Sequence, residues 1–214
     1  MKIQWLGHSC FRLEESTGTV VVTDPYDSGM RNSLSHISAH AITLSHTPHI
    51  QNDVIKLEGN PSIINEIGAF EVEGIHISSL NSFCNSYEGD ERGKNLIFKF
   101  RIDGVDICHL GDIGEDCNSH LAESIGSVDV LLLPIGGDHT INAEQAKKYV
   151  EFLMPNIVIP MRYKTRDCNL DIDKIDNFLK LFDDENIIYK NSNTIEFDRS
   201  YFDEYESKII VLHR

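Results

Sequence analysis

The sequence predicts a layered α/β protein, with sheet packed on sheet and helices outside. Three observations lead there. Short β-branched and apolar segments recur along most of the chain. Two of them, Val128 to Pro134 (unbroken from Val130 on, after Asp129) and Ile157 to Met161, are apolar runs, as in strands buried on both faces. Two segments stand out for the helical period, so helices serve as outer layers.

The elements follow in order. Thr19 to Thr23 is β-branched and ends at Asp24-Pro25, and Ala41 to Ser45 is a short apolar strand. Ile75 to Leu80 alternates apolar and polar residues. Leu96 to Ile102 and Val105 to Leu110 flank Asp103-Gly104, which predicts a hairpin because Asp-Gly supplies the positive φ of a tight turn. Ile187 to Tyr189, Thr194 to Phe197 and Ile209 to Leu212 complete the strands. A helix begins near Asn142, where Gln145 three residues on forms a capping-box pattern. Ala146, Tyr149, Val150 and Leu153 make its apolar face, and Pro155 ends it. A second helical stripe carries Ile172, Ile175, Phe178, Leu179 and Phe182. No repeat, low-complexity segment or linker interrupts residues 1–214, so one domain is expected.

Composition narrows the function. With 214 residues, 41% hydrophobic and 25% charged, the chain can bury a core without disulfides or metals as staples. No apolar run spans a bilayer, and the start Met1-Lys2-Ile3-Gln4-Trp5 carries no secretory signal. Lys plus Arg number 19 against 34 Asp plus Glu, a net charge of −15. Such a surface repels phosphate backbones, so neither nucleic acid nor membrane is an expected partner. A local cationic pocket for a small anion remains compatible with that charge. The cysteines (Cys10, Cys84, Cys108, Cys117 and Cys168) are odd in number and fit no disulfide framework, which points to a reduced, cytoplasmic protein.

Polar residues collect where strands end, the usual place for a site in a layered fold. Four such segments are Thr43-Leu44-Ser45-His46-Thr47-Pro48-His49-Ile50-Gln51, Cys108-His109-Leu110-Gly111-Asp112, Leu133-Pro134-Ile135-Gly136-Gly137-Asp138-His139, and Val158-Ile159-Pro160-Met161-Arg162-Tyr163-Lys164. Each alone has a plain structural explanation: a surface histidine, a turn aspartate, a tight Gly pair, a solvated strand edge.

Together they resemble the metallo-β-lactamase superfamily, and within it the small metal-dependent hydrolases similar to ascorbate-6-phosphate lactonase. The opening residues Met1 to Phe11, Thr23-Asp24-Pro25-Tyr26, Glu91-Arg92-Gly93-Lys94-Asn95, Cys108 to Asp112, Leu133 to Gly137 and Val158 to Met161 carry the resemblance, which runs to about Thr165. It implies an αββα sandwich, two mixed β-sheets with helices on the outer faces and a metal cleft at one edge. Members usually hold two zinc or manganese ions, which activate water to split esters, lactones or phosphoesters.

Against that pattern the ligands are thinned. The family's metal loop reads S-H-x-H-x-D-H. Here His46 matches its first histidine, while Pro48, Ile50 and Gln51 stand at the other ligand positions. Cys84 replaces a histidine, Asp112 matches the bridging aspartate, and Arg162 replaces the final histidine. By the resemblance, Ile50, Gln51 and Arg162 all fall in the second metal's set. His8 and Asp24 match positions near the cleft, with Asp24 expected to support the metal loop. Arg162, Lys164 and His139 are candidates to line the cleft and hold an anion.

Two readings follow. The first is a hydrolase-like family member with a degenerate active site, weakly active or non-catalytic, which binds a small anionic ligand or a partner. The alternative is a mononuclear zinc hydrolase of a phosphoester, ester or lactone. Its one ion, zinc or manganese, would sit on His46, Cys84 and Asp112, with His49 as a further candidate. A metal-free thiol nucleophile at Cys84 is a third, less supported option.

Overall fold

A computed structural model describes residues 1–25, 37–46, 59–84, 93–166, 168–202 and 207–213. The strands are β1 (Lys2–Gly7), β2 (Cys10–Glu14), β3 (Val20–Thr23), β4 (Ala41–Thr43), β5 (Ser62–Ile64), β6 (Ala69–Val72), β7 (Ile75–Phe83), β8 (Lys94–Ile102), β9 (Val105–His109), β10 (Val130–Pro134), β11 (Ile157–Met161), β12 (Ile187–Tyr189), β13 (Thr194–Glu196) and β14 (Lys208–Val211). Helices α1 (Ser119–Ile125), α2 (Ala143–Leu153) and α3 (Asp176–Leu179) all belong to the second half of the chain.

The strands form two mixed sheets, as the sequence predicts. One is ordered β13-β1-β2-β3-β4-β5 and the other β12-β14-β11-β10-β9-β8-β7-β6. In β1 the buried side alternates, with Ile3, Trp5 and Gly7 turned inward. In β10 and β11 every residue is buried, which matches their continuous apolar sequence and their parallel pairing inside the second sheet. Ile3, Trp5, Phe11 and Leu13 of the first sheet share one core with Ile77, Phe98, Phe100 and Ile107 of the second.

Local chemistry explains the turns. Asp103 and Gly104 take φ of 51° and 77°, so the tight turn between β8 and β9 forms as its Asp-Gly pair requires. At the start of α2, Gln145 N–H donates to Asn142 Oδ1, and Asn142 N–H donates to Gln145 Oε1, each at 3.0 Å. That is a complete capping box.

One helix differs from expectation. The stripe beginning at Ile172 yields only the four-residue α3, although Ile172, Phe178 and Leu179 are buried as that stripe requires. The residues before it pair elsewhere: Asp173 N–H donates to Gly136 O, and Asp173 O accepts from Lys164 N–H. Those bonds hold the segment in an extended path, and Ile175 at the helix start offers no capping side chain. Strands β1, β2, β5, β6 and helix α1 add to the predicted elements.

Candidate functional site

Strands β9, β10 and β11 are mutually parallel, so their C-terminal ends lie side by side. Asp112, the Gly136-Gly137 pair and Arg162 follow those three ends. In the first sheet, β3 and β4 are also parallel, and they lead into Asp24 and into Ser45-His46. The topology therefore gathers residues distant in sequence at one edge of the sandwich.

Backbone geometry fixes their approach. Gly111 has φ of +62°, and a Cβ there would overlap Asn95 Oδ1 and Ser45 Cβ. Only glycine satisfies both demands. A Cβ on Gly136 would run into the carbonyl of Arg162. His8, Asp24 and Arg162 themselves hold positive φ of 53°, 37° and 53°. Non-glycine residues in that region cost energy and cluster at functional sites.

A hydrogen-bond chain orients His46. Ser45 N–H donates to Asp24 Oδ1 at 2.6 Å, and Ser45 Oγ–H donates to Oδ2 at 2.6 Å. The Ser45 hydroxyl has thereby used its proton, so its 3.1 Å contact with His46 Nδ1 assigns the imidazole proton to Nδ1. Nε2 then lies 3.9 Å from Asp112 Oδ2. Asp24 thus acts on His46 through Ser45.

His109 is fully buried and structural. Gly111 N–H donates to its Nδ1 at 3.1 Å, which leaves Nε2–H to donate to Ser9 O at 2.8 Å. The ring is neutral in this pattern, and its 3.9 Å approach to Asp24 is not a charge pair. Asn95 is a second buried organiser. Its amide donates to Ser82 Oγ and Leu110 O, and its Oδ1 accepts from Asp112 N–H at 2.9 Å.

Asp112 and Arg162 form the charged centre. Arg162 Nε lies 3.1 Å from Asp112 Oδ1, with side chains 8% and 13% exposed. Neither atom has an aligned hydrogen bond, so charge rather than direction holds the pair. Arg162 Nη1 is spent on the carbonyls of Gly137 and Asp138 and on Thr140 Oγ1, each at 3.0 Å. Arg162 N–H also donates to His8 O at 3.2 Å. Burial pushes the Asp112 carboxyl up, but the Arg162 guanidinium outweighs it and holds it below the usual carboxylate range. His8 is pushed down to about 4, first by burial and then by the Arg162 charge.

Of the remaining candidates, Cys84 stays near Asp112 and the other described ones turn away. Cys84 is pushed up to about 12, by burial first and then by Asp112, and its thiol donates to Lys94 O at 3.5 Å. It is a neutral thiol, which removes the basis for a resting thiolate nucleophile. Lys164 Nζ donates to Leu170 O at 2.5 Å instead of facing Asp112. His139 is 83% exposed and lies beside Asp138 at 3.6 Å. His49 falls outside the described residues, as do Pro48, Ile50 and Gln51. Ser45, Thr140 and Asn95 are participants that the sequence reading did not single out. The signal for Asn95 was its place in the Glu91 to Asn95 block.

The fold and this edge site define a β-lactamase superfamily protein. The profile of the β-lactamase superfamily domain matches residues 2–162, and the chain belongs to that superfamily. Within it, the chain belongs with the UPF0173 metal-dependent hydrolases. It is 30% identical to the one from Methanosarcina barkeri, covering 78% of this chain and 85% of that protein. Identity to the Pyrococcus abyssi relative is 29%, over 77% and 85%. A solved metallo-β-lactamase superfamily structure from Thermotoga maritima is 33% identical, with a TM-score of 0.81 over 99% of both chains.

The donor set can be tested against the metals such relatives are named for. At the second position a guanidinium sits on Asp112, and Arg is a permanent cation with no lone pair to offer. Among the described residues, no three His, Cys, Asp or Glu side chains lie close enough to share an ion. Where Arg162 meets Asp112, the described residues therefore do not fit a second metal ion. Their chemistry is that of a buried ion pair with one oriented imidazole beside it. That imidazole opens on a cavity of about 390 Å³ lined by Ser45, Asn65, Glu66, Asn81 and Lys94.

Proposed function

We propose that this chain is a metal-dependent hydrolase relative whose dinuclear centre has been replaced by the Asp112–Arg162 ion pair. It is weakly active or non-catalytic and works by binding a small anionic ligand or a partner. The observation that carries this reading is the 3.1 Å approach of Arg162 Nε to Asp112 Oδ1. Asp112 needs a cationic neighbour in a buried site, and the guanidinium supplies that charge without a water to activate. The bonds from Arg162 to Gly137, Asp138 and Thr140 support a permanent role for it.

Metal content tests the proposal. Protein purified without chelators, loaded with zinc or manganese and then desalted, is expected to retain well short of one equivalent by mass spectrometry. Retention of one equivalent, lost in His46→Ala, overturns it and restores the mononuclear hydrolase reading.

A further inference from the structure

A second cavity, of about 380 Å³, is lined by residues of both sheets and includes neither His46 nor Asp112 in its wall. Its volume is in the range of small-molecule pockets, roughly 300–1,000 Å³. Trp5 of β1 and Tyr163 after β11 form its inner wall, their rings stacked at 5.4 Å. Tyr189, at the end of β12, contributes an aromatic side chain that is 67% exposed. Lys164, Arg166 and Lys190 line the same cavity, and among the described residues no carboxylate does. In a chain with 34 acidic and 19 basic residues, a basic lining without an acid is a local inversion of charge. Lys164 is committed to Leu170 O. The ion pairs among the described residues leave Arg166 and Lys190 out.

We propose that this cavity binds a small aromatic anion, its ring against Tyr189 and its phosphate or carboxylate held by Arg166 and Lys190. The inference deepens the binding half of the proposed function and names the ligand class. Arginine suits planar oxyanions through paired N–H donors, and an exposed tyrosine face offers stacking at little entropic cost. Two hydrogen bonds keep the walls in register: Trp5 N–H donates to Asn193 O at 2.7 Å, and Lys190 N–H to Val211 O at 2.9 Å. The pocket therefore stands before a ligand arrives.

Calorimetric titration of the full chain with phenyl phosphate, benzoate, phenol and inorganic phosphate tests it. Phenyl phosphate or benzoate should bind and the choice between them identifies the anion; phenol and inorganic phosphate should bind about tenfold more weakly or not at all. Arg166→Ala and Lys190→Ala, both at solvent-reached positions, should each weaken binding about tenfold, the loss expected for one charge-assisted hydrogen bond. Tyr189→Ala should weaken the aromatic anions and leave inorganic phosphate unchanged. His46→Ala should leave all binding intact. Binding lost in His46→Ala but kept in the Arg166 and Lys190 variants would place the ligand at the Asp112 edge and overturn this inference, while the anion-binding reading survives. No binding of either aromatic anion overturns it as well, and metal content then judges the ion-pair reading separately.

Discussion

A carboxylate as buried as Asp112 must be neutralised, and the residue found beside it decides what the site can do. Arg162 performs that task here, so breaking the pair should be costly. Arg162→Met is expected to lower unfolding free energy by about 3–5 kcal/mol, because Asp112 is left charged and desolvated. Adding Asp112→Asn should recover much of that loss. Urea denaturation of the two variants checks both, and an Arg162→Met protein as stable as wild type would remove the pair from the argument. His8 gives a pH prediction. Its folded pKa of about 4 lies below the ordinary 6.5, so between those values the unfolded chain binds the extra proton. Stability is then complete above 6.5 and declines as pH falls toward 4, by about 3 kcal/mol from this group. A His8→Asn variant should show a shallower decline over that window. The identities of Asp112 and Arg162 were legible in the sequence, because a histidine-to-arginine replacement at a ligand position states its own chemistry. Their pairing was expected only through the family resemblance, which sets a guanidinium where the second metal would neutralise Asp112; its geometry was not legible, since it depends on three parallel strands ending together. Nor could the sequence say that Lys164 would turn to Leu170, because a flexible stem finds its carbonyl only in the folded loop.

Elements were readable in proportion to how completely local signals agreed with packing. The hairpin turn at Asp103-Gly104 and the capping box of α2 form where residue types impose the geometry directly. The box can be measured: Asn142→Ala should cost about 1 kcal/mol, since it removes the acceptor of the Gln145 N–H. Thermal or urea unfolding that showed no loss would mean the helix is held by its buried face alone. Gly111→Ala should cost more than that cap, because strain at φ of +62° adds to overlap with Asn95 and Ser45. The second helical stripe misled because its apolar period is real while its start is unavailable. Asp173 is already bonded to Gly136 and Lys164, and tertiary pairing overrides a period that local sequence supports. Strands β5 and β6 were hard to see for the opposite reason: they are three and four residues long and largely uncovered, so they carry little apolar alternation. β1 did alternate, and K-I-Q-W-L-G was a legible strand.

At the scale of the molecule, the question is whether the fold leans on a metal. One core joins the two sheets, with Trp5, Phe11, Phe98, Phe100 and Tyr149 almost fully buried, so the chain has an apolar interior sufficient for its size. The site edge is tied together by bonds that need no ion: Asp24 to Ser45, Asn95 to Asp112, Arg162 to the Gly137 loop. An ion that bound only the folded state would stabilise it by about 2.7 kcal/mol at a hundred times its Kd. For a chain of this length that corresponds to a rise of roughly 5–10 °C in Tm. The ion-pair reading expects no such rise. Melting curves recorded with excess zinc, with manganese and with chelator should coincide, and the same curves for Arg162→Met should be lower yet equally indifferent to metal. A zinc-dependent rise in the wild type, abolished by His46→Ala, would show that an ion still holds this edge and that Arg162 has not taken its place.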